Sequence, residues 1–130
     1  MKKSILRVLA ALLLMTSAFV NSQQTRSEMV AVAANGKTVS AAVSSQAGRS
    51  PFFLLFDRQG ALIEAADNPY KDAGNAGIPT LEFLAGKGAK AVVAEGFGPR
   101  IIEVMKSKGM RPVEFKGNAK DAVKKALEVK

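Results

Sequence analysis

Three short stretches hold the residues best suited to chemistry. The first, Ser44-Ser45-Gln46-Ala47-Gly48-Arg49-Ser50, is small, polar and glycine-broken, and leads straight into the apolar run Phe52–Phe56. Arg49 offers a planar five-donor fork that suits an oxyanion or a negatively charged cluster. Gly48 is expected to let the backbone approach a ligand. By composition alone the stretch also reads as a solvated loop with a surface arginine. The second, Gly96-Phe97-Gly98-Pro99-Arg100, follows a buried strand and opens a helix. Free amides and the helix dipole make such a turn an anion site. Arg100 stands in the first turn, where a cation opposes the dipole. The spacing is neither a P-loop nor a dinucleotide fingerprint, so a plain strand-to-helix connection is the competing reading. The third, Asp72-Ala73-Gly74-Asn75-Ala76-Gly77-Ile78-Pro79, is a flexible loop with too few carboxylates for a calcium site.

Other chemistry is excluded by composition. The chain has no cysteine and no histidine. The commonest soft-metal ligands and the commonest general base are therefore absent. Hydrolases built on Ser-His-Asp or Cys-His are ruled out. Asp57, Glu64 and Asp67 belong to a hairpin and its ends, while Glu103 and Glu128 sit on helices beside lysines. A solvated face explains them, and no catalytic residue or metal-ligand set is assigned.

The residues in front of these stretches read as a targeting segment. Met1-Lys2-Lys3 and Arg7 make a basic start, Val8–Met15 is uninterruptedly apolar, and Asn21-Ser22-Gln23-Gln24 is polar. This is the layout of a secretory signal peptide, with the cut placed after Ser22 and Ala18 as a nearby alternative. The apolar stretch is short for a span, so no membrane segment is expected after cleavage. Of the chain's 130 residues, losing 22 leaves 108, one domain over residues 23–130. Losing three of 19 Lys+Arg and none of 11 Asp+Glu lowers the formal charge from +8 to +5. The basic residues are scattered, Trp is absent and Tyr70 is the only tyrosine, so nucleic acid is not an expected partner. The expected location is exported, periplasmic or secreted.

The elements that must position the three stretches follow from pattern. Glu28–Ala34, nearly all apolar, reads as a strand covered on both faces. Phe52–Phe56 reads as a second strand, and by composition the central one. Ala61–Asp67 pairs with it as an antiparallel hairpin through Asp57-Arg58-Gln59-Gly60. Lys37–Val43 is a short extended piece pinned by Val39 and Val43. Pro79–Ala85 reads as a helix with Leu81, Leu84 and Ala85 on one face. Lys90–Ala94 and Arg111–Phe115 are strands flanking a helix that Pro99 opens and Gly109 stops, so the pair is parallel. Asn118 caps a last helix carrying Ala122, Val123, Ala126 and Leu127. The sum is an α/β domain, a mixed sheet of about five strands with helices on its faces.

The order of the three loops, from Val30 to about Leu127, resembles the dinitrogenase iron–molybdenum cofactor biosynthesis family, the NifX-like domains. Gln46-Ala47-Gly48-Arg49 before Phe52-Phe53 is similar to the family's His-Phe-Gly-Arg and aromatic strand. Asn68-Pro69 resembles its Asn-containing strand end, Gly96-Phe97-Gly98-Pro99-Arg100 its Gly-x-Gly-Pro turn, and Lys108-Gly109-Met110 its closing Gly-Ile. The resemblance implies a ribonuclease H-like fold. It also implies a non-enzymatic carrier of metal–sulfur clusters, such as the iron–molybdenum cofactor, its precursor or a molybdenum–copper cluster. Gln46 stands where the family has histidine, and Ala47 where it has phenylalanine. A glutamine is a poor soft-metal ligand. Gln46, Gly48, Arg49, Gly96, Gly98 and Arg100 are therefore assigned as contacts to an anionic cluster or oxyanion, without metal coordination. The alternative is a protein-interaction module of the same fold that has lost the cluster. A nuclease of this fold needs clustered carboxylates, and the first strand carries Ala31 and Ala33 where an aspartate would be expected.

Overall fold

The structure is a computed structural model that describes residues 28–128. The expected leader over residues 1–22 lies outside the described residues. The elements are β1 (Met29–Ala34), β2 (Phe52–Phe56), β3 (Leu62–Asp67), α1 (Gly77–Gly86), β4 (Ala89–Ala94), α2 (Pro99–Ser107), β5 (Arg111–Glu114) and α3 (Ala119–Glu128). The strands form one mixed sheet in the order β3-β2-β1-β4-β5. β2 pairs antiparallel with both β1 and β3, whereas β1–β4 and β4–β5 are parallel. The α/β mixed sheet of five strands with helices on both faces is the expected architecture.

Alternation along β1 divides the core. Val30, Val32 and Ala34 face one layer with Leu54, Phe56 and Val93, against Ala119, Ala122, Val123 and Ala126 of α3. Ala31 and Ala33 face the other with Phe53, Leu55 and Val92, against Leu81 and Leu84 of α1 and Met105 of α2. β1 is the central strand, which corrects the expectation for β2. Strand order is set by long-range pairing, and the middle position needs side chains that tolerate cover on both faces. The Ala and Val of β1 meet that need as well as the bulkier β2 does.

Local chemistry sets the connections. In the β2–β3 hairpin, Asp57 Oδ1 accepts from the amides of Gln59 and Ala61, both at 2.9 Å, and Gly60 takes φ 85°. Asn118 caps α3 through Oδ1, which accepts from Asp121 N at 2.9 Å. Val43 bridges to Ala34, so it pins the segment before the first loop as expected. Val39 does not; its side chain is exposed. Helix α1 also differs in phase. It starts at Gly77, and Thr80, Leu81 and Leu84 are its buried residues, while Ala85 is exposed. At 3.6 residues per turn, Thr80, Leu84 and Leu81 span an arc of roughly 100°, and Ala85 falls roughly 40° beyond it. No helix among the described residues is long and apolar enough to cross a membrane.

Candidate functional site

The first loop runs off the carboxyl end of the sheet. Ser44 N donates to Ala33 O at 2.8 Å, Glu95 N donates to Ser44 O at 3.0 Å, and Gln46 bridges in parallel to Gly96. Two segments fifty residues apart in sequence are thereby laid side by side beyond the carboxyl ends of β1 and β4. A crevice in that position is where open α/β sheets bind ligands.

A cleft of about 540 Å³ opens there, and Gln46, Gly48, Arg49, Gly96, Gly98 and Arg100 all line it. The third loop closes the remaining side through Gly74, Asn75, Ala76 and Gly77. Ala47, Ile78, Phe97 and Ile101 supply apolar wall. Asp72 is not part of the lining. The cleft combines an apolar wall with two arginines, and Arg49, Arg100 and Gln46 are exposed on it.

The start of α2 adds donors. Gly98 is its N-cap with no side-chain cap, Pro99 follows, and the first turn has no acidic residue. The amides of Arg100 and Ile101 have no carbonyl behind them within the helix. Helix dipole and amides therefore favour negative charge at this wall. Gly98 has open space where a Cβ would stand.

Gly48 lines the cleft and also answers a steric demand from within the chain. A Cβ there would come within 3.0 Å of Gly77 Cα and 3.2 Å of Gly77 N. The close approach that demands glycine is between the first loop and the start of α1. The Gly48 carbonyl accepts from Thr80 Oγ1 at 2.9 Å and Asn68 Nδ2 at 3.0 Å. Asn68 Nδ2 also donates to Ser50 O at 3.0 Å, and its Oδ1 accepts from Tyr70 N at 3.0 Å and Thr80 Oγ1 at 3.3 Å. Ser50 Oγ donates to Phe52 O at 2.8 Å. Among the described residues, Ser44, Ser50, Asn68 and Thr80 are the buried polar ones. All four act on the first loop or beneath it. Ser50 belongs to the first candidate stretch, but Thr80 is not an obvious candidate from sequence; the available signal is a threonine on the apolar face of a short helix. The Ser44 and Ser50 hydroxyls face the chain: Ser44 Oγ donates to Gln46 O at 3.3 Å.

The residues present do not make a metal-coordinating site. The chain lacks His and Cys, and among the described residues no Asp and Glu gather into a group of three or more that could hold a metal ion. What the cleft offers is charge and hydrogen-bond donors. Arg49 Nη1 donates to Lys71 O at 3.2 Å at an exposed position, leaving the rest of its fork to face solvent or ligand.

Solved structures with this fold include the apo form of the orange protein from Desulfovibrio gigas. It is 25% identical with a TM-score of 0.70, over 77% of this chain and 87% of that one. A putative NifB protein from Thermotoga is 26% identical with a TM-score of 0.66, over 78% and 88%. A putative dinitrogenase from Methanocaldococcus jannaschii, 12% identical with a TM-score of 0.50 over 78% and 85%, shares the fold alone. No curated protein matches. The model of the family described as dinitrogenase iron-molybdenum cofactor matches residues 28–129. With the match running through every strand and helix described above, the chain belongs to the dinitrogenase iron-molybdenum cofactor family.

Proposed function

We propose that this protein is an exported, non-catalytic binding domain whose cleft takes an anionic metal–sulfur cluster or a related oxyanion. The cargo is held by charge and hydrogen bonds, without protein ligands to the metal. One observation carries the reading. Arg49 and Arg100, from loops far apart in sequence, line one cleft of about 540 Å³ that also receives the uncapped start of α2. Family membership supports a cluster as cargo. The absence of His and Cys argues against coordination. The basic and apolar pattern of residues 1–22 supports export.

The test is a titration of the purified protein with molybdate and tetrathiomolybdate, followed by elemental analysis after desalting. Saturable binding that weakens roughly tenfold or more in Arg49→Ala and in Arg100→Ala supports the proposal. No retention of either anion, or retention unchanged in both variants, overturns it. In that case the lack of soft ligands favours the second reading, a protein-interaction module on the same fold. Fractionation of the source cells with N-terminal sequencing tests export: a mature chain beginning at Gln23 outside the cytoplasm is the expected result.

A further inference from the structure

The opposite end of the sheet carries a second cleft, of about 760 Å³. It lies at the amino ends of β1, β4 and β5 and against the end of α3. Arg58, Lys90 and Arg111 line it, and Glu28 is the only carboxylate in the lining. Met29 and Leu127 are among its apolar walls.

Arg111 is the unusual member. Its Nη2 donates to Ala126 O at 3.0 Å, which ties the start of β5 to the last turn of α3. Among the described residues its Nη1 is the one buried side-chain nitrogen or oxygen atom with no hydrogen-bond partner. A buried guanidinium nitrogen without a partner is costly, and native structures rarely keep one unless an ion or water completes it. Water could serve the hydrogen bond but would leave the excess cation. Glu28 does not balance it: its contact is with Arg58 Nε, at 3.6 Å between two well-exposed side chains, a pairing that contributes little. One arginine nitrogen in need of an acceptor, with two further cations around an open cleft, matches an oxyanion.

We propose that this second cleft is an oxyanion site, with Arg111 Nη1 as the buried donor and Lys90 and Arg58 as the flanking cations. The ligand class is a small molecule bearing a phosphate-type group. The site is separate from the arginine cleft at the carboxyl ends of β1 and β4 and does not depend on what that cleft binds.

The test uses the full chain, labelled with ¹⁵N and titrated with inorganic phosphate at constant ionic strength, with chloride as the control. Saturable shifts are expected at the amides of Met29, Lys90, Ala91 and Arg111, and not with chloride. Lys90→Gln with Arg58→Gln removes two exposed charges and should weaken binding roughly tenfold with the thermal midpoint unchanged. Arg111→Lys keeps a charge but loses the fork, and should weaken it at least as much. The double variant Arg49→Ala with Arg100→Ala should retain phosphate shifts in the second cleft. Absence of saturable shifts, shifts shared with chloride, or affinity unchanged in both Arg111→Lys and Lys90→Gln/Arg58→Gln overturns the proposal. Loss of the phosphate response in Arg49→Ala/Arg100→Ala would also overturn it, because the anion would then belong to the first cleft.

Discussion

Thr80 Oγ1 donates to Gly48 O at 2.9 Å, so helix α1 grips the arginine loop by its backbone from below. Asn68 Nδ2 reaches the same carbonyl from the end of β3 at 3.0 Å. The loop that presents Arg49 to the cleft is thus anchored on its buried side, while Gln46 and Arg49 are left exposed. An anchored loop loses less freedom when a ligand arrives, which favours binding.

Thr80→Val tests the grip. The shape is kept and the hydroxyl is lost, leaving Gly48 O with one donor. The expected cost is about 1 kcal/mol of unfolding free energy, read from urea denaturation. Hydrogen exchange at the amides of residues 46–50 should accelerate by more than the global loss explains. Thr80→Ser restores the donor and should recover part of the protection.

Asn68→Ala should be more damaging. Its side chain serves Gly48 O, Ser50 O, Tyr70 N and Thr80 Oγ1 together, and it is buried. Removing it strands several buried polar groups, for a loss of about 3 kcal/mol. Because Thr80 and Asn68 share Gly48 O, the double variant should not be additive. A cycle with a coupling of about 0.5 kcal/mol or more is expected, and strict additivity would show that the two bonds act independently.

The two glycines Gly48 and Gly98 should respond in opposite ways. A methyl at Gly48 meets the backbone of Gly77 at 3.0 Å, and neither side can move without shifting a loop or a helix start. Gly48→Ala should cost about 1–3 kcal/mol. At Gly98 nothing stands within 4 Å of a Cβ, and φ is −67°. Gly98→Ala should change stability by less than about 1 kcal/mol, while its methyl intrudes on the cleft and lowers affinity for a bulky anion. Thermal melts and the tetrathiomolybdate titration separate the two effects.

These contrasts show what was legible in the sequence. Glycine and arginine at strand ends are local signals, and they point to Gly48, Arg49, Gly96, Gly98 and Arg100, all of which line the first cleft. Element types were equally local, since hydrophobic period distinguishes β1 from α3. The parallel bridge between Gln46 and Gly96 is not local, because nothing near either residue encodes the other. The same holds for Thr80, whose meaning depends on a carbonyl 32 residues away. Gly48 is legible as a position of close approach, but the approach of Gly77 to it is not. It is small because α1 lies against it. The central place of β1 is not legible in the sequence because bulk apolarity favours Phe52–Phe56, whereas strand order depends on pairing across the whole chain.

The proposed binding of an anion in the first cleft has its own salt dependence. Arg49 and Arg100 are exposed, so their attraction for an anion acts through solvent and is screened by salt over a Debye length of about 8 Å at 0.15 M. The uncapped amides of Arg100 and Ile101 would meet a bound anion at hydrogen-bond distance, where salt screens less. Affinity for tetrathiomolybdate should therefore fall as sodium chloride is raised from low to physiological concentration, and then level off. Arg49→Ala should weaken binding roughly tenfold at low salt and flatten the salt dependence. Arg49→Lys should keep most of the salt dependence but lose affinity, because an ammonium restores charge without the planar fork. Equal affinity for Arg49→Lys and the parent chain would show that Arg49 contributes charge alone, with no directed hydrogen bonds. To use its full fork, Arg49 must give up its bond to Lys71 O, a 3.2 Å contact at an exposed position that water can replace at little cost.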